Sequence, residues 1–580
     1  LNIIDFTKTH MGSRLLKYWL VFPLKIIDDI LTRQAIVEFF FLTKNIKDNV
    51  SKELSFIQDM ERILTKIITY KINPSQLKSF LEGLKSIQKI KEMLIYSENN
   101  ELIEIANNII DNNLLISYIE NILSEDPPVQ FHNGNVVKSG FSKELDELRD
   151  LKKNAKIFVE NYKAKEIEKT GINSLKIDYN SVFGYYIEIR NTHKDKVPEH
   201  WIRKQTLVNA ERYFTNELKE FEIQILSAED KIIALEKNIF LSLLDNITAK
   251  TKIIQNNTKK IAEIDCLLSL AICGLENNFV KPEINNSLEL IITEGRHPVI
   301  EKKIQNKEAY ISNNTYLGSL DQQIIMLTGP NMAGKSALLR QTAIIVILAQ
   351  MGGYIPANGA KIGLIDKIFT RVGASDNISN NESTFMVEMN ETANILNNLS
   401  NRSLILLDEI GRGTSTYDGV SLAWAVAEYL HEHRTQAKTI FATHYHELNE
   451  MATQFKKIKN FNVSIKEFDG KILFLRKLVP GGVAHSFGIH VARMAGIPKK
   501  VIDRAEKILE KLEEKKVFNT NKIVSKINNA ENKINLNLFN QNDSLLQDIK
   551  VDLKKIDINT LTPIEALFKL NEIKNKLFNG

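Results

Sequence analysis

The chain has 580 residues, 43% of them hydrophobic, which is enough apolar content for several cores and predicts more than one domain. Its net charge is only +5, so a nucleic-acid partner would have to meet a local basic patch and not a uniformly basic surface. The two cysteines, Cys266 and Cys273, lie seven residues apart on an apparent helix, a spacing that makes neither a metal site nor a disulfide framework and points to a reducing compartment. No signal peptide or membrane-length apolar run is visible.

The first residue is Leu1, not a start methionine, and a helical pattern is already running by Met11, so we expect the chain to be cut from a longer one. Residues 15–123 read as long packed helices. Apolar side chains recur at three and four, as in Leu77, Phe80, Leu81, Leu84, Ile87, Ile90 and Leu94, and breakers are few. A second long helix is expected over 141–168, opening at Ser142. Between Gly171 and Gln205 the period changes to alternating, β-branched and aromatic residues, with Phe183-Gly184 as a turn. This small β-rich insert carries Lys169, Lys176, Arg190, Lys194, Lys196, Arg203 and Lys204. Such a basic tip suits contact with a phosphate backbone, and equally suits a solvated surface. Helix is expected to resume at Leu207, through Ala210-Glu211-Arg212-Tyr213, and to run to about Leu275. The insert would then project from a two-helix stalk.

Strand signals begin near Asn278. Ile324-Ile325-Met326-Leu327-Thr328 reads as a buried strand. It runs into Gly329-Pro330-Asn331-Met332-Ala333-Gly334-Lys335-Ser336, which fits the phosphate-loop pattern, and a helix follows. In such a loop the backbone N–H groups and the helix N-terminus face phosphate oxygens; Lys335 would reach the β- and γ-phosphates and Ser336 would ligate Mg²⁺. A second buried strand, residues 403–409, ends in Asp408 and Glu409. Asp408 would hold Mg²⁺, and Glu409 would orient or deprotonate an attacking water. Ser383 opens a helix, either as an anion site or as an ordinary N-cap. A third buried strand ends at His444, a candidate γ-phosphate sensor or a structural histidine. After Gly496, Pro498 starts a helix with an apolar stripe, completing a helix–turn–helix that we read as a protein contact. Residues 519–557 are a polar, Asn/Lys-rich linker. Thr562-Pro563-Ile564-Glu565 is a capping box that starts a final amphipathic helix.

Taken together, these residues resemble the MutS family of DNA mismatch-repair ATPases. The likeness rests on Met11–Leu16, Glu144–Arg149, Tyr179–Tyr186, Asn209–Tyr213, Gly295–Pro298, Thr328–Ser336, Phe369–Asp376, Ser383–Met389, Leu407–Ser415, Ala442–Tyr445 and His485–Gly488. The resemblance implies a long-helix, all-α lever with a small β-rich clamp insert, then an α/β ABC-type P-loop ATPase domain and a helix–turn–helix. The corresponding boundaries are lever 1–150 and 207–278, clamp 151–206, ATPase domain 279–495, dimerising helix–turn–helix 496–518, linker 519–557 and terminal helix 558–580. It further implies ATP and Mg²⁺ as ligands, with Tyr310 stacking on adenine and Asn331 contacting phosphate or the attacking water. Lys335, Ser336, Asp408, Glu409 and His444 would act in cis, and Ser383 on the nucleotide of the other subunit. The implied partners are mismatched double-stranded DNA, a second copy of the chain, MutL and the replication sliding clamp, in a cytoplasmic, nucleoid-associated setting. DNA would meet Lys176, Arg190, Lys194 and Lys196.

The chain departs from the family in three ways. No mismatch-reading or connector segment is present, and Phe80-Leu81-Glu82 and Phe158-Val159-Glu160 match the Phe-x-Glu reading motif only by coincidence inside lever helices. Asn381 stands for the usual Gly and Ala337 for the common Thr. Asn535–Phe539 is similar to the sliding-clamp-binding peptide but lacks its leading Gln. A DNA clamp or recombination factor that reads no mismatches is the alternative. An ABC transporter ATPase is excluded by the missing Leu-Ser-Gly-Gly-Gln signature.

Overall fold

The computed structural model describes residues 1–180, 184–304, 309–330, 333–372, 384–468, 471–482 and 488–509. Two compact units are present, Leu1–His485 and Ser486–Gly580. The expected linker 519–557, the terminal helix 558–580 and the Asn535–Phe539 peptide lie outside the described residues.

The first unit opens with α1 (His10–Val21), α2 (Ile27–Leu42), α3 (Lys44–Ser55), α4 (Met60–Ile68), α5 (Pro74–Ile95), α6 (Asn100–Asn107) and α7 (Asn113–Ile122). Local chemistry sets several starts. Thr9, Asp59, Asn73 and Asn99 each accept a first-turn N–H, and Pro74 sits where its missing N–H costs nothing. Two long helices, α8 (Lys143–Thr170) and α9 (Asn216–Ala249), then run antiparallel. They are joined by Lys165–Glu217, Lys152–Glu229 and a buried Arg149–Glu236 pair at 2.6 Å. At 1.5 Å per residue α8 is about 42 Å long. The next helix, α10 (Thr251–Glu276), is buried on nearly every side, with Ile261, Ile264, Leu267, Leu268 and Leu270 at most 2% exposed, so it forms the axis of the helical core.

The tip of the α8–α9 pair carries β1 (Lys176–Asn180), β2 (Gly184–Arg190), β3 (Ile202–Thr206) and β4 (Ala210–Phe214), an antiparallel sheet in the order β1-β2-β4-β3. The expectation that helix resumes at Leu207 is overturned here. Ala210, Glu211 and Arg212 favour helix in isolation, yet they pair with β2 (Arg190↔Ala210, Ile187↔Tyr213) and with β3 (Ile202↔Phe214). Strand alternation buries Glu211 and Tyr213, and helix begins only at Asn216, capped by Thr215. The β insert therefore extends to Phe214 and does not end at residue 206. Trp201, which donates to Glu166 at 3.2 Å, and Tyr162, bonded to Thr215 at 2.7 Å, tie this sheet to the stalk.

The rest of the first unit comprises β5 (Glu283–Asn285), β6 (Leu290–Gly295), α11 (Pro298–Ile304), β7 (Asn313–Leu317), β8 (Ile324–Thr328), α12 (Lys335–Gln350), β9 (Gly359–Gly363), β10 (Lys367–Arg371), α13 (Thr384–Asn397), β11 (Ser403–Asp408), α14 (Thr416–Glu432), β12 (Lys438–Ala442), α15 (Met451–Gln454), β13 (Ile458–Phe468) and β14 (Lys471–Pro480). A six-stranded sheet runs β10-β11-β12-β8-β13-β14, parallel up to the antiparallel β13–β14 pair, and a four-stranded sheet runs β5-β9-β6-β7. In the second unit α16 (Gly488–Met494) ends in a turn with Gly496 at φ +84°, closed by Ile497 N–H to Ala492 O at 3.2 Å, and a second helical stretch covers 499–509.

One buried carboxylate organises the start of the chain. Asp265 of α10, 1% exposed, accepts from Lys8 N–H at 2.9 Å, Thr9 N–H at 2.8 Å and Thr9 Oγ1 at 2.7 Å. Burial raises its pKa even against these bonds. A Cβ on Gly12 would lie 2.2 Å from Asp265 Oδ2, so glycine is what lets α1 approach α10. Asp265→Ala strands these donors in the core and should lower stability by roughly 2–3 kcal/mol. Thermal unfolding followed by circular dichroism checks this, and an unchanged midpoint would contradict it.

Candidate nucleotide site

Three parallel strands deliver the site. Register aligns Asp408 with Ala442 and Ala442 with Leu327, so β11, β12 and β8 end together at one sheet edge, with β12 between the two strands that carry the predicted chemistry. Ligands bind at this kind of edge because the strand ends leave side chains and backbone groups free to converge.

Beyond β8 the chain turns at Gly329 (φ +133°) and again at Gly334 (φ +102°), the residue before α12. A side chain at Gly334 would be strained by its backbone. Pro330 O accepts from Ala333 N–H at 3.0 Å, closing the loop, while Asn331 and Met332 lie outside the described residues. Lys335 is only 2% exposed. Its Nζ donates to Gly329 O and stands 4.0 Å from Glu409 Oε1. Burial lowers the Lys335 pKa, against the pull of Glu409 and Asp408.

Beyond β11, burial raises the Asp408 pKa, while a hydrogen bond from Ser336 lowers it. Asp408 Oδ1 is buried without a hydrogen-bond partner. An orphaned carboxylate oxygen beside a serine hydroxyl suits a hard divalent cation. Among the described residues no cluster of three or more His, Cys, Asp and Glu side chains forms a metal centre by itself, so a cation here would take its other ligands from phosphate and water. Glu409 adopts φ +56°, a conformation uncommon outside glycine. Its N–H donates to Ala442 O at 2.9 Å, and its Oε2 receives Arg412 Nη1 at 2.8 Å. His444 follows β12 with its side chain reaching solvent. The crowded surroundings lower its pKa, with Glu409 opposing and Lys335 adding to the effect.

Next to the phosphate loop is a cavity of about 320 Å³, lined by Tyr310, Ile300, Ile311, Gln341, Arg476 and the loop residues Ala333 and Gly334, among others. Tyr310 donates to Gln341 Oε1 at 2.8 Å, which fixes its phenol at the cavity wall, and Gln341 Nε2 has no hydrogen-bond partner. The predicted Tyr310, Lys335, Ser336, Asp408, Glu409 and His444 thus occur in one region. Ser383 lies outside the described residues, immediately before α13.

The basic candidates sit elsewhere, on the insert. Lys176, Arg190, Lys194 and Lys196 are all exposed. Arg190 closes β2 at the end away from Gly184-Tyr185, where Glu222 of α9 accepts Tyr185 N–H at 3.2 Å. Lys194 is not a free cation: its Nζ is 2.8 Å from the buried Glu211, which also draws Arg203 to 3.6 Å. Sequence reading missed Glu211 because it expected helix there.

It also missed what holds the loop after Glu409. Gly411 (φ +88°) donates its N–H to buried Glu388 of α13 and accepts at its carbonyl from Tyr445 OH at 2.9 Å. Nothing in the letters marked Glu388 or Tyr445 beyond their place in motifs.

Comparison with known proteins identifies the family. Residues 1–271 match the family MutS domain III, and residues 325–513 match MutS domain V. The chain is 55% identical over 580 residues to the DNA mismatch repair protein MutS of Christiangramia forsetii, covering 100% of this chain and 66% of that protein. It is 52% identical over 577 residues to the protein of that name from Flavobacterium johnsoniae, again with 100% and 66% covered. With that of Bacteroides thetaiotaomicron the identity is 52% over 586 residues, covering 100% and 68%. The chain spans about two thirds of the length of these relatives. On this likeness along its whole length, the chain belongs to the MutS family.

Proposed function

We propose that this chain binds and hydrolyses ATP with Mg²⁺ and uses the cycle to close a dimeric clamp on double-stranded DNA in mismatch repair. The observation that carries the reading is the meeting of Lys335, Ser336, Asp408 and Glu409 at one sheet edge beside the Tyr310 cavity. In this reading Lys335 and the loop N–H groups of Gly329–Ser336 hold the phosphates, and Tyr310 packs on the base. Ser336 and Asp408 hold Mg²⁺, which when bound neutralises charge on the phosphate oxygens. Glu409 orients the attacking water and takes its proton, while His444, kept neutral at physiological pH, donates or accepts one hydrogen bond near the terminal phosphate. Asn331 contacts phosphate or the attacking water, and Ser383 reaches the nucleotide of the second subunit.

The names of the relatives support a mismatch-repair setting, and the basic insert at the tip of the stalk supports contact with duplex phosphates. The second unit would contribute to the homodimer, and MutL and the replication sliding clamp would be further partners. A duplex-DNA partner would place the protein in the cytoplasm, associated with the nucleoid; among the described residues no helix is long and apolar enough to cross a membrane.

Two measurements test the reading. Glu409→Gln should retain ATP binding and slow hydrolysis by about 10²–10³-fold, whereas Lys335→Ala should lose tight binding; equal turnover in wild type and Glu409→Gln would remove Glu409 from the chemistry. For the insert, Arg190→Ala and Lys196→Ala should each weaken duplex binding and reduce the salt slope by about 0.9. Lys194→Ala should do less, because its charge is already engaged by Glu211. Titrating matched and G·T-mismatched duplexes by fluorescence anisotropy decides this. A salt slope that none of the three changes would place the DNA contact elsewhere.

A further inference from the structure

We infer that Glu388 is a positioning residue for hydrolysis: it ties α13 to the backbone that carries Glu409. The inference rests on the ATPase reading above and goes beyond it. Glu388 lies one turn inside α13 and is 4% exposed. One carboxylate oxygen accepts the Gly411 N–H, and the other is 3.5 Å from Arg371 Nη2 at the end of β10. Gly411 is only two residues beyond Glu409, and its carbonyl is held from the opposite side by Tyr445 OH at 2.9 Å.

This peptide has little freedom to be held any other way. Gly411 sits at φ +88°, and a Cβ there would lie 2.6 Å from the backbone oxygen of Gly419, which cannot move aside as a flexible side chain would. Glu409 is itself in a left-handed conformation, with its N–H committed to Ala442 O. The backbone from which the Glu409 side chain projects is therefore held at both ends of a three-residue segment, and Glu388 supplies the hold that comes from α13, while Arg412 Nη1 meets the carboxylate itself at 2.8 Å. Phe385, on the same helix, packs against Gly413, so α13 touches this loop twice. A shift of α13 would carry the Gly411 peptide with it and turn Glu409 relative to Lys335.

The test separates positioning from simple support of the fold. In steady-state ATPase assays of the full chain, Glu388→Ala should lower kcat by about tenfold to a hundredfold, with KM for ATP and the affinity for a fluorescent ATP analogue within about twofold of wild type. Glu388→Gln still offers Gly411 an acceptor oxygen and should restore most of kcat. Tyr445→Phe, which removes a single hydroxyl from the other side of the same peptide, should reproduce the kcat-only loss at smaller size. Normal kcat in Glu388→Ala overturns the inference, as does a parallel loss of kcat and analogue binding. If Glu388→Ala does not fold, Tyr445→Phe and Glu388→Gln decide it: a wild-type kcat in Tyr445→Phe, or a Glu388→Gln protein that folds but has lost kcat, counts against it. A wild-type chain that hydrolyses no ATP would instead sink the ATPase reading itself.

Discussion

Everything chemical in this molecule depends on the parallel register of β11, β12 and β8. Backbone pairing fixes where each strand stops, and the bonds that continue past the pairing, Glu409 N–H to Ala442 O and Thr443 N–H to Leu327 O, both at 2.9 Å, extend that order into the functional loops. The register is in turn fixed by burial on both faces. Along β11, Leu404 and Leu406 face one core while Ile405 and Leu407 face the other, and β8 divides in the same way, with Ile325 and Leu327 against Ile324 and Met326. A slip of one residue would exchange these sets and misplace every loop residue, so packing on the two faces specifies the site although it touches none of its reactive atoms.

The same sheet is joined mechanically to the helical core. α12 begins with Lys335 and ends at Gln350, whose side-chain amide donates to Leu24 O at 2.8 Å and to Ile365 O at 2.9 Å, while its backbone carbonyl accepts from Leu24 N–H at 3.1 Å. Arg33 of α2 reaches Met351 O and stacks on Trp19. One rigid helix, about 24 Å long by its residue count, therefore has the phosphate loop at one end and the segment joining α1 to α2 at the other. Since α2 packs on α10, and α10 anchors the start of the chain through Asp265, motion at the loop has a continuous packed path into the helices.

Legibility from sequence followed the locality of the signal. The phosphate loop, the buried strands and the acids at a strand end were readable because glycine spacing and unbroken apolar runs are local facts, and α8 and α5 were readable from period and caps. β4 was not, because Ala210-Glu211-Arg212 favours helix and only pairing with β2 and β3, plus the burial of Glu211 and Tyr213, makes it a strand. The pairing of Lys194 with Glu211 was hidden for the same reason. Glu388 was invisible as a contributor because its partner is a backbone N–H on a different element, 23 residues away in sequence. Cationic letters show where charge is; they do not show whether a buried carboxylate has already claimed it.

The charges at this sheet edge are buried at a net cost. At 4.0 Å, Lys335 and Glu409 attract each other by about 4 kcal/mol at the effective dielectric of a partly buried site. Removing each ion from water costs several kcal/mol, so the pair does not repay its own burial. The directions of the shifts agree: burial, as the leading cause, lowers the Lys335 pKa and raises that of Asp408, and the neighbouring opposite charges only partly offset it. A folded protein keeps such an arrangement only where packing elsewhere supplies the stability, which here comes from the two apolar cores flanking the sheet. In the proposed ATPase reading, a polyanion against Lys335 and the loop N–H groups and a cation against the orphaned Asp408 oxygen would relieve the remaining deficit. Each satisfies the group the other cannot, so phosphate and divalent ion should bind here more strongly together than either does alone.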